Sequence, residues 1–179
     1  MTPQSIIDRY YKVGTKLYNI YMSHVQDVER LSLLIADSHP ELEVDRIFLS
    51  EAALLHDIGI FMTDAADIEC YGRSRYIEHG YLGADLLREN GLDRHALVAE
   101  RHTGMGLKRV DIIEKNMPLP HRDMIPISME EKIICYADKF FSKSDLERKF
   151  TIEEIRNKNA KYGKEWIEAF DALSDMFEI

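Results

Sequence analysis

A chain of 179 residues, 45% of them hydrophobic, is long enough to close one sizeable core, and nothing in its composition suggests a second domain. Its formal net charge of -9 argues against a general nucleic-acid binder, and no apolar run approaches the ~18 residues that a membrane span needs. With no charged-then-apolar leader and no CxxC pair, the expectation is a cytoplasmic protein whose Cys70 and Cys135 are ordinary thiols, with neither a nucleic-acid polymer nor a membrane as partner.

Helical periodicity runs through almost the whole chain without convincing strand alternation, which predicts an all-α fold. Thr2 and Pro3 form an N-cap and first-turn signal for a helix over 3–22, and a second helix runs from Ser23 to the stop at Pro40. Asp45 caps a third, which ends near Gly59 in a left-handed turn that glycine permits. Glu78 to Glu89 form a fourth helix closed by "ENG", and Asp93 caps a fifth ending at the "HTG" of Thr103 and Gly104. A longer connection with Pro118, Pro120 and Pro126 follows, holding a short helix at Val110 to Lys115. A loop of this length inside a compact domain is a candidate for function. "SMEE" at Ser128 and "TIEE" at Thr151 read as capping boxes that open the last two helical regions. Trp166, Phe170, Leu173 and Phe177 then share one helical stripe. That stripe reads as core packing, and left exposed it would favour a homodimer.

At about 100° per residue, several ionisable side chains fall on the apolar faces of these helices. His24 aligns with Val28, Leu31 and Ile35, and His56 with Leu49, Ala52 and Ala53. His79 aligns with Gly83 and Leu86, His102 with Val98 and Ala99, and Asp138 with Ile134 and Phe141. Burying such groups unpaired costs about 2–7 kcal/mol for a neutral polar group and far more for a bare carboxylate, so they must share partners. A metal centre is one economical solution. Neighbours on a helix diverge, so His56 and Asp57 can serve one centre only if it lies close against the helix end. There Asp57, with two oxygens, could bridge two ions.

The complete order, His24, His56-Asp57, His79, His102 and Asp138, resembles the HD-domain superfamily of metal-dependent phosphohydrolases. The resemblance covers roughly Ser23 to Ser144 and rests on "SHVQDVERLSLLIA", "EAALLHDIG", "IEHGYLGADLL", "ERHTG" and "MEEKIICYADKFF". Within the superfamily, "HTG" followed by "EKIICYAD" looks most like symmetrical diadenosine tetraphosphate hydrolases and their relatives. Two features depart from the pattern. Ile60 stands where these proteins and the GYP-type cyclic dinucleotide phosphodiesterases usually carry a lysine shortly after the HD pair, and no GYP signature is present.

The resemblance implies an HD-domain helical bundle with a metal site in its core. That is one domain over 1–179, with its core at 23–144 and with the helix over 3–22 and the helices over 151–177 packed on it. It implies that His24, His56, Asp57 and Asp138 hold one divalent transition metal and that Asp57, also the catalytic carboxylate, bridges to a second held by His79 and His102. Iron or manganese rank first by resemblance, and zinc, nickel or cobalt suit the same ligands. The implied reaction is hydrolysis of a phosphate ester or anhydride of a nucleotide or related small phosphorylated metabolite by metal-activated water. Arg101, Lys108, Arg109, Arg122 and Lys139 lie beside the ligand segments and could bind substrate phosphates. Glu51 and Glu78 are candidate proton carriers, while His39, His95 and His121 fall outside the pattern. Two other classes share the ligand order: di-iron oxygenases of the inositol-cleaving kind, which would consume oxygen, and non-catalytic nucleotide sensors, which often lose ligands that this chain retains.

Overall fold

The structure, a computed structural model, describes residues 2–178, so the two end residues of the expected domain lie outside it. Nine α-helices are present among the described residues, and the fold is all-α apart from one two-stranded ladder. Helix α1 (Pro3–Tyr10) opens as its sequence dictates, with the Thr2 hydroxyl accepting from the Ser5 amide at 3.2 Å. It then stops: Tyr11 is extended, Gly14 has φ 81°, and Thr15 caps a new helix by accepting from the Tyr18 amide. The single helix expected over 3–22 is therefore two. Helix α2 (Lys16–Ser38) continues through Ser23, where a boundary was expected.

Asp45 caps α3 (Arg46–Leu55) as expected, accepting from the Phe48 amide at 3.0 Å. The chain then passes through the HD turn, a 3-10 turn and the strands β1 (Asp64–Ala65) and β2 (Cys70–Tyr71), which pair antiparallel. Helices α4 (His79–Glu89) and α5 (Asp93–Arg101) form a closely packed hairpin. Asp93 is the first helical residue of α5 and Leu92 stands at the cap, so Asp93 contributes charge to the first turn instead of a capping oxygen. Helix α6 (Arg109–Glu114) lies inside the long connection. Helix α7 (Met129–Asp138) opens with Ser128 accepting from the Glu131 amide, but the Glu131 carboxylate takes the Ile127 amide and not that of Ser128. The expected box is thus displaced by one residue. Thr151 and Glu154 do form a reciprocal box at the start of α8 (Ile152–Asn159), and α9 (Lys164–Phe177) completes the chain.

Two apolar cores lie side by side. One gathers Val28, Leu31, Ile35, Leu49, Ile134, Tyr136, Phe170 and Phe177, the other Ile6, Ile7, Tyr11, Tyr21, Val25, Leu55 and Leu87. Phe170 and Phe177 are fully buried, with Trp166 and Leu173 packed against the same core, so the α9 stripe is spent on internal packing. Helix α2 feeds both cores, Val25 into one and Val28 into the other, and α3 does the same with Leu49 and Leu55. His24 and His56 stand where these helices pass from one core to the other. The Tyr11 hydroxyl donates to the Ile58 carbonyl at 2.9 Å and that of Tyr21 to the Leu54 carbonyl at 2.7 Å, which ties the HD turn to the residue that follows α1 and the end of α3 to α2.

Candidate metal centre

The HD turn is set by a close backbone approach. Gly59 has φ -85°, so the expected left-handed turn does not form. A Cβ here would lie 2.3 Å from the His79 carbonyl oxygen and 2.5 Å from the Gly83 amide nitrogen, both backbone atoms. The glycine is needed because α4 packs directly on the turn, and that contact carries His79 to Asp57.

Around Asp57 the side chains divide into two sets. Its Oδ2 lies 3.1 Å from His24 Nε2 and 3.3 Å from His56 Nε2, and Asp138 Oδ1 lies 3.0 and 3.6 Å from the same two nitrogens. Its Oδ1 lies 3.3 Å from both His79 Nε2 and His102 Nε2, which are 3.0 Å from each other. All five of these histidine and Asp57 side chains are buried, and Asp138 is nearly so. The ring orientations are fixed from behind: Nδ1 of His56, His79 and His102 faces the Ala53, Tyr76 and Ala99 carbonyls at 2.7, 2.6 and 2.8 Å. A carbonyl can only accept, so each Nδ1 carries a proton and each Nε2 faces inward, where it offers a lone pair whenever the ring is neutral. The sequence could not name these acceptors. Each carbonyl sits three residues before its histidine, a local arrangement that only the backbone reveals.

The residues fit a metal. His24 Nε2, His56 Nε2 and Asp57 Oδ1 are buried without a properly aligned hydrogen bond, although each lies close to other members of the cluster. Buried polar atoms that converge without pairing are costly, and a cation at the point of convergence satisfies them together. His24, His56, Asp57 and Asp138 could hold one ion, and Asp57, His79 and His102 a second. The charge pattern agrees. Burial opposes charge on both carboxylates, yet the Lys143 ammonium beside Asp57 and the Lys139 ammonium beside Asp138 hold them well below the usual carboxylate range. Burial would lower the His56 imidazole, but Asp57 and Asp138 bring it up to about 9, whereas burial takes His79 down to about 3 and lowers His102.

The expected cations divide. Lys139 reaches the site, with Nζ 2.7 Å from Asp138 Oδ2 and 3.1 Å from the His102 carbonyl oxygen. Arg101 turns away and donates to both Glu131 oxygens at 3.0 Å. Arg122 pairs with buried Glu100, Lys108 with Glu165 on α9, and exposed Arg109 donates to the His121 carbonyl. Glu51 pairs with His95, and Glu78 accepts from the Arg75 amide, which occupies both candidate proton carriers. His39 faces Glu41 and the Phe177 carbonyl. The residue missed from sequence is Lys143, whose ammonium lies 2.6 Å from Asp57 Oδ2. It follows α7 in a segment without helical period, so no stripe marks it.

This arrangement defines a helical protein built around a divided histidine-carboxylate cluster, and the comparisons with known proteins agree. The HD domain pattern matches residues 21–142, and the chain belongs to this family, which sits in a superfamily of metal-dependent phosphohydrolases. An uncharacterized protein of Methanocaldococcus jannaschii is 41% identical over 109 residues, 60% of this chain and 56% of that one. Two tRNA (cytidine(56)-2'-O)-methyltransferases are also similar: that of Picrophilus torridus at 31% over 143 residues, 79% of this chain and 37% of the enzyme, and that of Thermoplasma volcanium at 29% over 163 residues, 90% of this chain and 42% of the enzyme. The chain thus spans roughly half, or less, of the curated relatives it matches. No solved structure matches it.

Proposed function

We propose that the protein is a phosphohydrolase that uses one or two divalent transition metals to cleave a phosphate ester or anhydride of a nucleotide or related small phosphorylated metabolite. The observation that carries this reading is the division at Asp57, whose two oxygens face separate sets of inward-pointing imidazole nitrogens. Metals held by His24, His56, Asp57 and Asp138, and by Asp57, His79 and His102, would supply a water of lowered pKa and charge to offset that developing on the phosphate. The chain does the rest. The Ala53, Tyr76 and Ala99 carbonyls keep the imidazoles in the tautomer that ligation needs. Lys139, fixed by the His102 carbonyl, places a cation at the edge of the Asp138 set, where a phosphoryl oxygen can be received.

The ligand order also fits an oxygenase of the inositol-cleaving kind, and the two methyltransferases act on a tRNA, so both polyols and RNA belong in the test. The net charge of -9 favours a small substrate over a long polyanion. The test is a panel of mononucleotides, dinucleoside polyphosphates, sugar phosphates, inositol-like polyols and a short RNA with a terminal phosphate. Protein reconstituted with iron or with manganese is assayed with and without oxygen. Metal-dependent release of phosphate or nucleotide, independent of oxygen, is the expected result. Oxygen uptake on a polyol with no ester cleaved would overturn it.

A further inference from the structure

Lys143 enters the ligand cluster from outside the helical pattern. Its segment is held at both ends: the Phe150 amide donates to the Phe140 carbonyl at 2.8 Å, Phe141 bridges to Lys149, and Phe140 is buried in the core. Between these anchors Ser142 and Ser144 bond to each other, with hydroxyls 3.0 Å apart, and Lys143 turns inward with a side chain only 11% exposed. Its ammonium lies 2.6 Å from Asp57 Oδ2 and 6.0 Å from the centre of the Tyr76 ring, which stacks on His79. Ile60, fully buried among apolar side chains, cannot supply an ammonium here.

Each aspartate at this cluster faces a lysine, but the two lysines are not equivalent. Lys139 has a backbone carbonyl as well as Asp138 for a partner, and that carbonyl stays whatever else binds. Lys143 has the Asp57 carboxylate and an aromatic ring. A cation held by His24, His56, Asp57 and Asp138 takes over the Oδ2 charge that Lys143 now neutralises. The cluster then carries net positive charge, and the buried ammonium needs a new anion. The substrate phosphate is the anion that such a centre admits.

We infer that Lys143 binds a non-bridging oxygen of the substrate's phosphate, as a substrate-binding residue presented by the anchored segment over 140–150. This rests on the phosphohydrolase reading above and adds a residue that sequence periodicity does not reveal. The test uses the full chain loaded with manganese and inorganic phosphate as the probe, with affinity read by calorimetry and metal content by elemental analysis. Lys143→Gln is expected to keep the metal content of the wild type and to bind phosphate about ten-fold more weakly, the size of one charge-assisted hydrogen bond. Lys143→Arg is expected to restore most of that affinity. Unchanged phosphate affinity in Lys143→Gln overturns the inference, as does loss of metal from that variant, which would make Lys143 a support of the ligand set. Wild-type protein that holds metal but no phosphate also overturns it while leaving the metal centre intact. Wild-type protein that takes up no metal removes the phosphohydrolase reading itself.

Discussion

The two sides of Asp57 are built from similar parts but differ in charge. Its Oδ2 side joins two imidazoles with a second carboxylate, Asp138, and has two lysines at its edge. Its Oδ1 side has only His79 and His102, whose imidazoles burial holds neutral. A cation on the first side would gain Asp138 and one oxygen of the shared Asp57, whereas one on the second would gain the other Asp57 oxygen and two neutral nitrogens. The difference teaches that one aspartate placed between two sets of imidazoles can offer cations two unequal positions, the first backed by a second carboxylate.

Removing the bridge should have the largest effect. Asp57→Ala is expected to lose both metals and bring turnover to background, while His121→Ala, whose side chain is exposed, retains both. Elemental analysis and the hydrolysis assay check this together. An Asp57→Ala protein with full metal content would mean that neither side depends on the other.

The contact that holds the two sides together comes next. Gly59→Ala puts a Cβ 2.3 Å from the His79 carbonyl oxygen, so the HD turn and α4 must separate. Overpacking of this kind costs about 1–3 kcal/mol, and here the clashing atoms are backbone, which points to the upper end. Thermal unfolding should show that loss, together with a lower metal content as His79 moves away from Asp57. A variant of wild-type stability and full metal content would show that the spacing across Asp57 is set elsewhere.

A sharper test of inequality removes one ligand from each side. His79→Ala should lower metal content by about one equivalent and leave the ion beside His24 in place, because only the weaker position loses a donor. Asp138→Asn should weaken the stronger position and, through Asp57, the other as well. Metal titrations of both variants check the order. Equal, independent losses would make the two positions equivalent despite their charges.

Much of this centre was legible in the sequence for a specific reason. His24, His56, His79, His102 and Asp138 interrupt apolar stripes, and a helix converts that spacing into direction. The same rule explains what sequence could not give. Lys143 lies beyond the end of α7, where no period relates position to direction. Arg101 adjoins His102 in sequence, but neighbouring side chains on a helix diverge, and its guanidinium meets Glu131 instead. At Gly59 the residue is legible and its reason is not, since a glycine required for close packing and one required for a left-handed turn look alike in sequence. The split between α1 and α2 at Gly14 was hidden in the same way, inside an apolar pattern that continues across it.

The smallest effect is expected outside both halves, at Arg109, and it defines where the centre ends. Arg109 is exposed, and its guanidinium is engaged with the His121 carbonyl at 3.2 Å and with no member of the ligand cluster. A cation so placed can attract a phosphorylated substrate but cannot act more strongly on the transition state than on the bound ground state, because it does not reach the reacting atoms. Exposed charge contacts contribute about 0.2–1 kcal/mol, so Arg109→Ala should raise KM by at most about five-fold and leave kcat unchanged. The effect should shrink as salt is added, since the contact is screened by solvent. A kcat loss comparable to that of His79→Ala would mean that the loop bearing Arg109 closes onto the metals during turnover, which would extend the centre beyond the two sides of Asp57.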